Sequence, residues 1–287
     1  GLGWALVFTP SLGTVARYFP ARRALATGLV VSGASVSGLA LGPLVPFLLD
    51  TYGWRGALLL LAALSFNLVA AGALLRPLPH PGEPSGPPKA GGGLLRLLRH
   101  GPFLRYALAF LLVDAGYYVP FVHGEARAQE VGCGDRGAGL VMAAMAGVDG
   151  GGRLAGGWLA GRPAARLLRH LFAWVTLTGL TLLLLPLGTT FGGLLALALA
   201  YGFCAGALVP LQFSGVAEVV GAGPPLVNAI GLMQMFESLG SLLGAPFAGW
   251  LRDTTGDFTI SFLVAGAFLL AGSLLILTLP GFSCSSR

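Results

Sequence analysis

Charge is what this sequence has least of. Asp, Glu, Lys and Arg make up 10% of its 287 residues, where a water-soluble domain carries about 25%. Lysine is nearly missing, with Lys89 alone. The formal net charge of +6 is spread between apolar runs and forms no clustered basic face, which excludes a nucleic-acid binder. Three cysteines, Cys133, Cys204 and Cys284, give no disulfide framework. No Cys/His group has zinc spacing, so no metal is expected. A GxxxxGK[ST] phosphate loop is lacking, and with it any sign of ATP-driven pumping. No GxGD surrounds Asp114 or Asp149, which sets aside an intramembrane aspartyl protease with its proton-sharing carboxylates. The chain reads as a non-enzyme that needs no cofactor. It also lacks a signal-peptide start: GLGWALVFTP is apolar from its first residue, without a basic n-region. That opening is expected of a fragment beginning inside a membrane span.

What is present is apolar surface. Hydrophobic residues account for 55% of the chain and mean hydropathy is +0.81, so the partner is a lipid bilayer. A spanning helix takes about 20 mostly apolar residues. Nine such runs occur, at about 1–17, 25–49, 54–76, 102–122, 137–161, 166–187, 190–213, 226–250 and 258–280. Pro10, Pro43, Pro46, Pro120, Pro210 and Pro246 fall inside them; membrane helices tolerate proline where neighbours satisfy the freed carbonyls. The expected class is therefore all-α, a polytopic helix bundle.

The basic residues set the orientation. Arg17, Arg22, Arg23, Arg76, Lys89, Arg96, Arg99, Arg105, Arg162, Arg166, Arg169 and Arg287 fall on one set of alternate connections; the other set has Arg55, Arg127, Arg136 and Arg252. Twelve against four makes the first set cytoplasmic by the positive-inside rule. The longest connection, RPLPHPGEPSGPPKAGGGLLRLLRHG, is dense in proline and glycine and reads as a linker. Four parts follow: three helices over 1–76, a cytoplasmic linker over 77–101, six helices over 102–280 and a tail over 281–287. Leu94–Arg99 is expected either as an amphipathic turn on the inner membrane face or as an extension of the next helix.

Four charged residues fall well inside spans: Asp114, Asp149, Arg153 and Glu237. Asp149 and Arg153 stand four positions apart in GVDGGGRLAG, on one face of a helix. A lone charge at mid-bilayer costs about 2.5–3.5 kcal/mol on insertion scales, so such residues face a bundle interior or a wet cavity. One reading makes Arg153 the anion site, since a guanidinium holds carboxylates by a fork of donors, and Asp149 the proton acceptor. The other makes the pair a permanent structural salt bridge. Glu237 either joins the proton path or bonds a neighbouring helix. Asp114 is the weaker candidate, placed near a kink. Tyr117 and Phe203 are candidate substrate contacts, with Tyr118, Phe121 and Phe236 as further cavity wall or plain packing. His123 is expected in or near an outer loop. Glycines at 28, 33, 147, 151, 152, 156, 240, 244 and 249 recur at intervals that let helix backbones approach closely.

YFPARRALATGLVVSG at 18–33 resembles the second signature of the monocarboxylate transporter family. Tyr18, Phe19, Arg22, Arg23, Leu25, Ala26, Gly28 and Gly33 match it, and Ala21 stands where lysine is usual. The spacing of Asp149 and Arg153 is similar to that family's eighth-helix pair, and GWLRDTTGDFTISFLVAGAF at 249–268 to its last outer loop. The resemblance implies a major facilitator bundle of twelve helices in two halves, built from inverted repeats around a central site. Nine of the twelve are present, from the fourth onward; the first three, with a lysine thought to partner the anion, are missing. It further implies proton-linked symport of small monocarboxylates such as lactate or pyruvate, a single-span glycoprotein chaperone, and the plasma membrane, with the Golgi membrane as the alternative. The rival expectation is a truncated, non-transporting membrane protein that acts through partners.

Overall fold

The computed structural model describes residues 2–74, 92–161, 167–221 and 225–280. Arg76, Lys89, Arg162, Arg166, Cys284, Arg287 and most of the expected linker lie outside the described residues. Among the described residues every regular element is helical. Apolar segments have no water to satisfy their peptide groups, and a helix satisfies them within one segment.

Helix α1 (Leu2–Tyr18) leads through a 3₁₀ turn at Pro20–Arg22 into α2 (Arg23–Ser65). One residue within α2 is not helical: Gly53, at φ 66° and ψ 175°, a conformation side chains disfavour. The spans expected at 25–49 and 54–76 are thus joined by a single glycine in place of a loop. Helix α3 (Asn67–Leu74) follows directly. Helix α4 (Gly92–Leu98) occupies the end of the expected linker as a separate element, with Leu97 buried. His100 then caps α5 (Gly101–Tyr117), its Nδ1 accepting from the Phe103 amide at 3.3 Å.

The break after α5 follows from Pro120, whose missing N–H removes a bond to the Gly116 carbonyl. Tyr118 tightens there instead, donating its amide to Gly116. The chain nevertheless stays helical in α6 (Val119–Glu130), well past the expected boundary at 122. His123 therefore lies on a helix and is part-buried, its Nε2 3.0 Å from the Ala245 carbonyl. The remaining helices are α7 (Gly134–Ala160), α8 (Leu167–Leu184), α9 (Phe191–Val220), α10 (Leu226–Thr255) and α11 (Thr259–Leu277).

Among the described residues seven stretches are long and apolar enough to cross a membrane: Pro20–Gly42, Leu44–Leu74, Gly101–Glu130, Leu167–Leu187, Phe191–Val220, Leu226–Thr255 and Thr259–Leu277. The other two expected spans are helices as well. One is α1, with 17 residues; the other is α7, with 27 residues, where glycines and the charges of Asp135, Arg136, Asp149 and Arg153 dilute the apolar character. Burial separates centre from edge. In Gly101–Glu130 and in Phe191–Val220, 61% of the apolar window is buried, against 6% in Leu44–Leu74. Phe103, Tyr106 and Phe110 of α5 and Tyr201, Leu208 and Leu211 of α9 make the innermost layer.

Two of the four outer-set arginines share one carboxylate. Glu130 lies 3.5 Å from Arg127 and 3.6 Å from Arg252, which ties the ends of α6 and α10 together.

Candidate functional site

Helix α7 is held between α2 and α9 by contacts that only glycine permits. A Cβ built on Gly206 of α9 would lie 2.1 Å from the Asp149 carbonyl oxygen, and one on Gly202 would lie 2.4 Å from that of Met145. From α7, a Cβ on Gly152 or Gly156 would lie 2.2 Å from the carbonyls of Phe203 and Ala207. The opposite flank is almost as tight: a Cβ on Gly28 of α2 would meet the Arg153 carbonyl at 2.8 Å, and one on Gly157 the Ala24 carbonyl at 2.7 Å. Backbones in such contact leave no room for lipid or water between them.

Asp149 and Arg153 project from this crowded helix toward α2. Asp149 Oδ2 accepts from Arg153 Nε at 2.8 Å and from the Ser35 hydroxyl at 2.7 Å. Arg153 Nη1 donates to the Val31 carbonyl at 2.8 Å. One turn of α7, from 149 to 153, thus meets one turn of α2, from 31 to 35. Asp149 Oδ1 is buried without a hydrogen-bond partner. The two side chains differ in access, with 5% of Asp149 and 15% of Arg153 exposed. The carboxylate is walled in, and the arginine side chain is the more accessible of the two.

The other expected residues fall around this pair at various removes. Tyr117 is buried on α5, its ring edge-on to Tyr118 and tilted against Phe121, and its carbonyl accepts from the Tyr201 hydroxyl at 2.6 Å. Tyr117 and Tyr118 both lie within electrostatic reach of Asp149 and Arg153. Phe203 turns its ring toward α8, edge-on to Trp174 at 5.9 Å between centroids. Phe121 stands 6.0 Å from Tyr201. Glu237 on α10 accepts from Gln212 Nε2 of α9 at 3.1 Å. Asp114 is buried on α5 and its Oδ2 has no hydrogen-bond partner. In the signature segment, Tyr18 and Phe19 are exposed, Arg23 Nε donates to the Ala16 carbonyl at 3.4 Å, and Gly28 packs on α7.

Three partners escape a reading of the sequence. Ser35 and the Val31 carbonyl complete the grip on the pair, and Gln212 holds Glu237. Ser35 carried a signal, since it lies seven positions after Gly28 and so shares its helical face. Gln212 carried another, as a polar side chain in an apolar run. The Thr9 hydroxyl also donates to Gln234 Oε1 at 2.5 Å, joining α1 to α10.

Comparison with known proteins agrees with this architecture. A sequence model of the Major Facilitator Superfamily matches residues 1–225. Monocarboxylate transporter 13 of Bos taurus is 50% identical over 288 residues, covering 100% of this chain and 67% of that protein. Monocarboxylate transporter 11 of Homo sapiens is 48% identical, covering 98% of this chain and 61% of its own length. Monocarboxylate transporter 4 of Mus musculus is 36% identical, with coverages of 100% and 63%. The chain therefore spans about two thirds of the length of the relatives it matches. Among solved structures, the fucose:proton symporter FucP in its outward conformation superposes with a TM-score of 0.69 at 17% identity, over 88% of this chain and 67% of the other. At that identity the likeness speaks for the fold.

Proposed function

The chain belongs to the Major Facilitator Superfamily, in its monocarboxylate transporter family, and on that premise we propose that it carries small monocarboxylates of the lactate or pyruvate type together with a proton. Family and fold make it a multi-pass membrane transporter and not an enzyme. The observation that carries the finer proposal is the asymmetry of the pair: an arginine side chain that is partly accessible, beside a carboxylate with one buried, unsatisfied oxygen.

Arg153 receives the substrate carboxylate, because its planar fork matches a carboxylate's two oxygens. Asp149 Oδ2 already accepts two hydrogen bonds, so the proton settles on Oδ1. Protonation removes the charge that holds the guanidinium and frees it for the incoming anion. Two opposite charges, anion and proton, then cross as a neutral pair, which avoids the cost of carrying a bare charge through hydrocarbon. Tyr117 lines the approach, Glu237 with Gln212 forms a second protonable station, and Phe203 is assigned to the wall. Helices over 1–76 and 102–280 rock about this midplane site, joined by the linker at 77–101. The plasma membrane and a single-span glycoprotein chaperone complete the proposal, as the family resemblance implies.

The test is uptake by the full-length protein in proteoliposomes. Radiolabelled lactate and pyruvate enter faster under an inward proton gradient, and Arg153→Ala brings uptake to background. Uptake equal with and without the gradient refutes the coupling. Failure of both acids to enter refutes the substrate class.

A further inference from the structure

We propose that Ser35 is a positioning residue: its hydroxyl links the charge of Asp149 to the contact between α2 and α7, so that the site opens only when that carboxylate is neutral. The bonds form a closed ring, from Ser35 Oγ to Asp149 Oδ2, through Arg153 to the Val31 carbonyl, and back along one turn of α2. Every side chain in the ring apart from Ser35 belongs to α7. A hydroxyl bonded to a charged acceptor holds about twice as strongly as one bonded to a neutral group. Neutralising Asp149 thus weakens the Ser35 bond and the Arg153 bond together.

The surroundings place this polar contact in a tightly packed stretch of the seam. Ser35 itself is 6% exposed. Its Cβ is 3.0 Å from where a Cβ of Gly150 would stand, and Gly28 and Gly157 bring the backbones together toward Ala24. Toward Ala24 that seam is lined by small residues in close backbone contact. The charged and titratable groups around Asp149 are Arg153 on its own helix, bonded to it at 2.8 Å, and Tyr117 and Tyr118 at the end of α5 and Tyr201 on α9, which feel its charge; Asp114 and Glu237 also act on Tyr118. From α2 the group that answers the carboxylate is the Ser35 hydroxyl.

The inference rests on Asp149 as the proton-coupling carboxylate for its meaning, but its test needs no substrate. Ala24, 4% exposed on α2 and packed against Gly157 of α7, is replaced by cysteine in full-length protein whose own cysteines are changed to alanine. A polar maleimide then labels it in lipid nanodiscs only when the seam opens. Ser35→Ala is expected to raise the labelling rate about tenfold, the effect of losing one hydrogen bond to a charged group. Asp149→Asn raises it by a similar factor, and adding Ser35→Ala to Asp149→Asn adds less than about twofold, because the shared bond is already weakened. Ser35→Thr restores the parental rate while Ser35→Val, of the same shape, does not. Equal labelling of the Thr and Val variants overturns the proposal, as does an effect of Ser35→Ala that is undiminished in the Asp149→Asn background. A protein that fails to carry lactate or pyruvate yet shows this labelling pattern would refute the transport proposal and leave the coupling of Ser35 to Asp149 standing.

Discussion

Removing the guanidinium with Arg153→Ala strands Asp149 in a site built around an ion pair. Asp149 loses the Arg153 Nε bond at 2.8 Å and keeps only the Ser35 hydroxyl at 2.7 Å. With 5% of its side chain exposed, Asp149 has little other contact with solvent. Breaking a buried pair by deleting one partner costs about 3–5 kcal/mol, most of it for the uncompensated charge. Insertion scales give a similar figure, about 2.5–3.5 kcal/mol for a lone aspartate at mid-membrane. Loss of the Val31 contact adds little, since a helical carbonyl keeps its own backbone bond.

Asp149→Asn in the same background removes the charge while keeping the side-chain shape. The double variant is therefore expected to recover about 2–4 kcal/mol relative to the sum of the two single losses. In thermal unfolding at a fixed scan rate, the single Arg153→Ala variant should melt about 6–20 °C below the parent, taking roughly 2–4 °C per kcal/mol. Most of that loss should return on adding Asp149→Asn. Additive losses, or an Arg153→Ala shift under about 2 °C, would show that the two side chains do not depend on each other as a buried pair must.

Gly206→Ala places a methyl group 2.1 Å from the Asp149 carbonyl oxygen, so α7 and α9 must separate; a stability loss of about 1–3 kcal/mol and slower uptake are expected, and parental melting would contradict the described contact. Gln212→Leu removes the donor to Glu237 and should cost about 1–3 kcal/mol, whereas Gln212→Leu with Glu237→Leu should cost less than the single change; additivity in the melting cycle would deny that contact. Glu130→Gln at the outer end should shift stability by less than about 1 kcal/mol, because Glu130 is 23% exposed and lies 3.5 and 3.6 Å from its arginines, and long, partly solvated pairs are weak; a larger shift would mean that this carboxylate carries more of the fold than its exposure indicates.

Much of the fold was legible because hydrocarbon leaves the backbone few choices. The apolar runs became helices, and Pro120 marked a true break. What escaped were events set by neighbours. Gly53 replaces a loop with one residue, which hydropathy alone does not distinguish from a short turn. Helix α6 runs to Glu130 through the polar stretch EARAQE, held there by Arg127 and by Arg252 from a helix more than a hundred positions away. The charged pair of the site was legible from its four-residue step, since i and i+4 meet on any helix. Ser35 and Val31 were not, because their role depends on which helix lies beside α7. Phe203 shows the same limit: an aromatic residue in a span reveals its presence, while the face it takes, here toward Trp174, follows from packing.

The glycine content and the ion pair of α7 are one physical solution. An arginine and an aspartate on a helix of bulky residues would be kept apart from every other helix by neighbouring side chains, leaving the pair to satisfy itself. Here Gly150, Gly152, Gly156 and Gly157 let α2 and α9 come within backbone contact on two flanks. The Val31 carbonyl and the Ser35 hydroxyl can then reach the charges directly. The same closeness excludes water from Asp149 and makes its charge dominate the local energy. Enlarging a glycine on the α2 flank should therefore act on the pair as much as on packing. Gly157→Ala, whose methyl would meet the Ala24 carbonyl at 2.7 Å, is expected to weaken the coupling between Arg153→Ala and Asp149→Asn little, but to lower the coupling between Ser35→Ala and Asp149→Asn by at least half, because only the latter spans the gap between helices. If the two couplings fell together in cycles of melting temperature, the charges would be answering to α7 alone, and its glycines would be serving packing only.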